Sequence, residues 1–160
     1  MAWFDLVALA LIVAVIWLES HRGFGRSVFD LLGAIISLKV AGLVSEPLAA
    51  AAPLLATPGA NRAFWLVVVF VVLAVLTVIG SKFIYETTLM SLDVLDPLVG
   101  GILGLASGIV VAHIFMRMLL LSQGEGEAAG VVLNSLMGEE LLQFRTYHRV
   151  VTSLQNLGNW

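Results

Sequence analysis

The sequence predicts an all-α fold, a four-helix transmembrane bundle with an amphipathic C-terminal helix. Three observations carry this. Four stretches are apolar over the roughly 20 residues that a helix needs to cross the hydrocarbon core. Of the 160 residues, 60% are hydrophobic and 12% charged, where a soluble domain is nearer half apolar and about a quarter charged. Mean hydropathy is +1.03. A water-soluble fold of this size could not hide so much apolar surface, whereas lipid is itself the apolar solvent.

The first span runs from about Ala2 to Leu18. It lacks the basic flank of a signal peptide, Asp5 stands where that flank would be, and Trp17-Leu18-Glu19 is not a small-residue cleavage site. It therefore reads as an uncleaved helix. The connection from Glu19 to Arg26 is short, so the first two helices read as an antiparallel hairpin. The second span, about Ser27 to Val44, is weak. Its ten Val, Leu, Ile and Phe side chains favour insertion by about 3–6 kcal/mol, but Asp30 and Lys39 each cost up to about 3 kcal/mol. That near-zero balance calls for neighbouring helices or snorkelling. In the next connection, Ser45-Glu46-Pro47 has the cap, early acid and early proline of a new helix. Pro53 would end that helix after about two turns, leaving it in the interface.

The third span, about Ala63 to Gly80, is the clearest. Thirteen Val, Leu, Ile or Phe residues lie between Ala63 and Ile79, worth about 4–8 kcal/mol of insertion. Lys82 and Glu86, at i,i+4, suit an extension of this helix beyond the membrane. The fourth span runs from about Pro97 to Leu121. Residues 122–130 read as a Gly/Glu linker. Residues 131–160 read as an interfacial helix, with Leu133, Met137, Leu141, Phe144, Val151 and Leu154 at helical spacing.

Four spans place both termini on one side. The first and third connections carry Arg22, Arg26 and Lys82, against Arg62 and Arg117 on the other side. The positive-inside rule then puts the first connection in the cytoplasm and both termini outside. Counting Arg145 and Arg149 in the tail would remove that margin.

Net charge is −3, which gives no footprint for nucleic acid. The absence of Cys removes disulfides, thiolate chemistry and Cys-ligated metals. No HExxH, P-loop or GxSxG pattern occurs, so neither an enzyme nor a cofactor or metal site is expected. Asp93 and Asp96, at i,i+3, could share a metal, but acids at a helix start more often serve the helix dipole.

Small residues form two i,i+4 ridges: Gly100, Gly104, Gly108 and Ala112 on the fourth helix, and Gly33, Ser37, Ala41 and Ser45 on the second. Such ridges let backbones approach in lipid. They read as packing against each other or against another copy; a substrate path along the glycines is the alternative. The polar residues within or near the spans are Asp5, Arg22, Arg26, Asp30, Lys39, Asp96, His113 and Arg117. Snorkelling and ion pairing, including Arg26 with Asp30, is the structural reading. A proton or solute path through Asp5, Lys39 and His113 is the functional one. An Arg22–Asp96 pair would tie the first hairpin to the fourth helix; otherwise Arg22 binds lipid phosphate and Asp96 caps that helix.

Three segments resemble the colicin V production protein family of bacterial inner-membrane proteins. They are Trp3-Phe4-Asp5, Arg22-Gly23-Phe24-Gly25-Arg26, and Leu95-Asp96-Pro97-Leu98-Val99-Gly100 followed by Gly104 and Gly108. Pro97 and Ser107 stand where the family often has basic residues, so no role of those residues transfers. The resemblance implies a bacterial inner-membrane protein needed for making or exporting a peptide toxin. Relatives with an extracytoplasmic protease domain after the fourth helix imply an outside C-terminus. Two functions follow as expectations: a non-enzymatic membrane component supporting toxin production, secretion and envelope function, or a small oligomeric transporter or channel subunit. The partners expected are the lipid bilayer and either further copies of the chain or other envelope and secretion proteins.

Overall fold

A computed structural model of the chain describes residues 2–88, 95–124, 126–146 and 148–149. Among the described residues these helices follow in order: α1 (Trp3–Arg22), α2 (Phe24–Ala51), α3 (Pro58–Thr88), α4 (Asp96–Gln123), α5 (Glu127–Leu133) and α6 (Leu136–Leu141). The first four are long and apolar enough to cross a membrane. With 20 residues, α1 is about 30 Å long and matches a hydrocarbon core with nothing spare. The other three have 28, 31 and 28 residues, about 42–46 Å. They overreach the core and must tilt or enter the headgroup region.

The bundle is organised as two helix pairs. The first connection makes a hairpin in sequence only, because its arms barely touch: α1 packs chiefly on α4, and α2 on α3. The two small-residue ridges accordingly do not meet. A Cβ on Gly104 would lie 2.9 Å from the Ile16 Cα, and one on Gly108 2.9 Å from the Ile12 Cα, so the α4 ridge is pressed against the backbone of α1. At Gly100 the added atom would lie 2.6 Å from the Glu19 carbonyl oxygen. The α2 ridge faces α3 instead, where any Cβ on Gly33 would collide with the Thr77 side chain. Ser37 and Ala41 are fully buried along the same ridge. Each ridge thus has its own partner helix, and neither is left open for another copy.

Two apolar clusters fill the pairs. Phe4, Ala8 and Ile12 meet Ala112 and Met116 between α1 and α4, and Ala41, Leu66, Phe70 and Ile114 join α2, α3 and α4. The outer surface carries exposed Leu6, Val13, Leu43, Val72, Leu76 and Ile102. Buried inside are Asp5, Glu19, Ser27, Asp30, Ser37, Asn61, Ser81 and Ser107. Apolar outside and polar within is the distribution that lipid selects.

The connections depart from the sequence reading. No new helix starts at Ser45. Its hydroxyl is buried and donates back to the Gly42 carbonyl at 3.4 Å, so it caps nothing, and α2 runs on through Pro47. The proline denies the Leu43 carbonyl its usual donor, a local loss the helix absorbs. The helix does stop before Pro53. α3 starts at Pro58, where a missing N–H costs nothing, and Thr57 Oγ1 accepts the Ala60 N–H at 3.3 Å as its cap. It continues past Ser81 to Thr88.

The tail is not one helix in its described part. α5 ends at Asn134, α6 starts from Ser135, whose hydroxyl accepts the Gly138 N–H at 3.0 Å, and Phe144 has φ +51°. α4 runs to Gln123 and α5 begins at Glu127, inside the expected linker, and the short helices fold back on α4 and α1. Val151 and Leu154 lie outside the described residues.

Replacing Gly104 or Gly108 with Leu is expected to destabilise the protein by about 1–3 kcal/mol, the overpacking range. Gly80, where an added Cβ meets nothing within 4 Å, should accept Ala with no loss. Thermal unfolding in detergent checks both; a ridge variant as stable as Gly80→Ala would show that α1 and α4 tolerate separation.

Candidate functional site

The charged side chains gather where α1 turns into α2. A single residue, Gly23, separates the two helices, with φ +81°. It has no side chain to cap α2, whose first N–H groups lack helical partners. The cap comes from α4: Asp96 Oδ1 accepts the Phe24 N–H at 3.1 Å. A Cβ on Gly23 would stand 2.9 Å from Asp96 Oδ2, so glycine is required both for the turn and for the carboxylate's approach. Asp96 therefore caps α2, while Arg22 forms ion pairs with Glu19 and Asp30. The tie between the first turn and α4 exists, but it runs through a backbone N–H, where the dipole of α2 favours a negative charge.

Arg22 turns inward instead. Its Nη1 lies 2.9 Å from Glu19 Oε1 and 2.8 Å from Asp30 Oδ2. Ser81 on α3 donates its hydroxyl to Asp30 Oδ1 at 2.5 Å, and Ser27 donates to the Glu19 carbonyl at 3.2 Å. The expected Arg26–Asp30 pair is replaced by Arg22–Asp30. Arg26 leaves its Nε buried without a hydrogen-bond partner among the described residues. The cluster joins α1, α2 and α3 through groups that are nearly dry: the side chains of Glu19 and Asp30 are 4% and 5% exposed, that of Arg22 18%.

Beneath the cluster lies a cavity of about 170 Å³, walled by Glu19, Arg22 and Asp30 at one end and by Phe70, Val78 and Ser107 further in. Ser107 is eleven residues into α4, about 16 Å from its start, so the cavity reaches towards mid-membrane. Glu19 Oε2 and Ser107 Oγ are both buried with no hydrogen-bond partner among the described residues. A larger cleft of about 730 Å³ at the other end of the bundle is mostly apolar; Glu46 and Arg62 on its rim pair with each other at 3.0 Å in solvent.

The remaining candidates lie at that other end and do not converge on a path. Asp5, 1% exposed, accepts the Ala2 N–H at 2.9 Å and the Met137 N–H at 3.1 Å. It thereby serves the first turns of α1 and α6 together. His113 Nδ1 donates to the Leu141 carbonyl at 2.7 Å, and its ring stacks on Phe144 with centroids 6.1 Å apart. Both residues clasp the tail. Lys39 is exposed on α2, and Arg117 points towards Gly42 of α2. Asp93 lies outside the described residues. Among those residues no three His, Asp or Glu side chains converge as a metal site would require.

Sequence reasoning missed Glu19, Asn61, Ser81 and Ser107. Glu19 left a signal: an acid in the last turn of a helix opposes the dipole and needs another reason to be there. Asn61 accepts the Leu54 and Leu55 N–H groups and donates to the Ala49 and Ala52 carbonyls. With Trp65, whose Nε1 also donates to the Ala52 carbonyl at 3.0 Å, it closes the end of α2, and nothing in its spacing announced that.

Two outcomes follow. Arg22→Gln should cost about 3 kcal/mol, the lower end for breaking a buried pair because Arg22 keeps some exposure. Adding Glu19→Gln and Asp30→Asn should recover part of that loss in thermal unfolding, whereas independent effects would deepen it. Asp5→Ala should free the tail and raise tryptic cleavage after Arg145 several-fold; unchanged cleavage would mean the tail is held without Asp5.

A family model described as colicin V production protein matches residues 4–143. Comparison with curated proteins and with solved structures gave no match. The matched span takes in the Asp5 clasp, the Gly23 turn, the α4 ridge and both short tail helices, which is most of the sequence. On that ground this four-helix membrane protein belongs to the colicin V production protein family.

Proposed function

We propose that the protein is a non-enzymatic inner-membrane component that supports production or export of a colicin V-like peptide toxin, working through contacts with other envelope proteins. The observation that carries this reading is the tail. Asp5 and His113, the polar side chains deepest in the end opposite the first turn, are spent on holding α5 and α6 against α1 and α4. The bundle therefore displays a folded extramembrane surface instead of lining a passage. Exposed Val131, Leu136 and Phe144 on that surface suit a protein partner or the membrane interface. The bias of Arg22, Arg26 and Lys82 over Arg62 and Arg117 supports a cytoplasmic first turn and a tail outside.

A small oligomeric transporter or channel subunit is the second reading, favoured by the internal cavity. At about 170 Å³ it holds a few waters, at about 30 Å³ each, or one small molecule, so a passage for anything larger would need further copies.

A reporter fused after Trp160 should read outside, and one within the first turn cytoplasmic; the reverse pattern refutes the orientation. In a toxin-producing bacterium, loss of the gene should lower secreted toxin several-fold. Crosslinking from native membranes should recover a partner with the intact chain and lose it with Asp5→Ala. Solute flux through the purified chain in liposomes would favour the transporter over the scaffold.

A further inference from the structure

We propose that the cavity beneath Arg22 is a hydrated binding site for one monovalent cation, a proton or an alkali-metal ion, held at Glu19 Oε2 with water reaching Ser107 Oγ.

The case begins with charge. Among the residues that line the cavity, two carboxylates, Glu19 and Asp30, share one guanidinium, Arg22. Arg26, a turn before Asp30, is not part of the lining, which leaves one negative charge on the cavity wall. The other walls do not cancel it: α3 contributes Phe70, Ala74 and Val78 to the lining, and α4 contributes Ser107 and Val111. An uncompensated charge inside the membrane is expensive, so the site favours whatever small positive species reaches it.

The hydrogen bonds say where that species sits. Both oxygens of Asp30 are occupied, by Ser81 and Arg22. Of Glu19, Oε1 is held by Arg22, while Oε2 is buried with no partner among the described residues. Ser107 Oγ is a second such atom in the same lining. Unsatisfied buried polar atoms are uncommon in native proteins and point to an unseen water or ion. The volume of about 170 Å³ admits a few waters at about 30 Å³ each; the wall is mostly apolar, so their partners are Glu19 Oε2 and Ser107 Oγ. Three or more carboxylates would suit a divalent ion; one free carboxylate oxygen, one hydroxyl and water suit a single positive charge. Access is from the first-turn end, where Arg22 keeps partial exposure.

The test uses the full chain in lipid nanodiscs, with two arms that separate the sources. In sodium-free buffer, infrared difference spectra between acidic and alkaline pH should show a protonated carboxyl band that shifts in D₂O and disappears in Glu19→Gln but persists in the surface variant Glu127→Gln. In alkaline buffer, radioactive sodium should be retained at about one ion per chain by the intact protein and lost in Glu19→Gln. Either signal supports the site, and the arm that responds identifies the ion. The proposal is overturned if Glu19→Gln changes neither measurement, or if the signals belong to another carboxylate. Should Glu19→Gln fail to fold, Ser107→Ala decides. It should shift the carboxyl band or weaken sodium retention several-fold, and an unmoved band with unchanged retention removes the site.

Discussion

Everything in this bundle depends on how closely α4 lies against α1. In lipid no hydrophobic effect drives helices together, because the tails of the bilayer are as apolar as leucine, so association relies on dispersion, hydrogen bonds and shape. Gly100, Gly104 and Gly108 supply the shape: their missing side chains let α4 rest on the main chain of α1 at Ile12, Ile16 and Glu19. That approach brings Asp96 to the Gly23 turn, where it caps α2. The turn in turn aims Arg22 at Asp30 rather than at solvent or lipid phosphate. A wider α1–α4 spacing would leave the start of α2 uncapped and move Glu19 away from the cavity it lines.

The polar residues divide by role along the bundle. At the first-turn end they join transmembrane helices to one another: Glu19 and Arg22 from α1, Asp30 from α2 and Ser81 from α3. At the other end they hold non-membrane structure to the bundle, with Asp5 and His113 on α6 and Asn61 on the end of α2. This division accounts for the placing of the intramembrane charges, often a sign of a transport path, among the described residues. Of Asp5, Lys39 and His113, two are spent on the tail. Glu19, Arg22 and Asp30 instead line the cavity at the first-turn end.

The spans were legible because insertion depends on summed hydrophobicity, a property of composition over about 20 residues that needs no knowledge of neighbours. The glycine ridge was legible too, but its partner was not. Spacing says that some backbone comes close, and it does not say which, so the ridges of α2 and α4 looked like mates when each faces a different helix. Pro47 misled because a proline after a possible cap resembles a helix start, whereas three-dimensional context let α2 run through it. Glu19 was hidden by position: read as the first loop residue, it proved to be the last buried acid of α1. The tail stripe had helical period, yet the break at Asn134–Ser135 resets the phase, so Val132 is buried while Phe144 is exposed.

The two departures from the family pattern gain meaning from this geometry. Pro97 falls in the first turn of α4, where the amide hydrogen has no helical acceptor to lose and the fixed backbone angle suits a helix start. A basic residue there would instead have stood next to Asp96, the carboxylate that caps α2. Proline leaves that carboxylate to the Phe24 N–H. Ser107 sits in the wall of the cavity with its hydroxyl unpartnered among the described residues. A long basic side chain rooted at that position would take up much of the cavity's volume and bring a positive charge to the carboxylates. Serine does neither. In this chain the space stays open, and the balance of charge around Glu19 is left to Arg22 and to whatever small species enters.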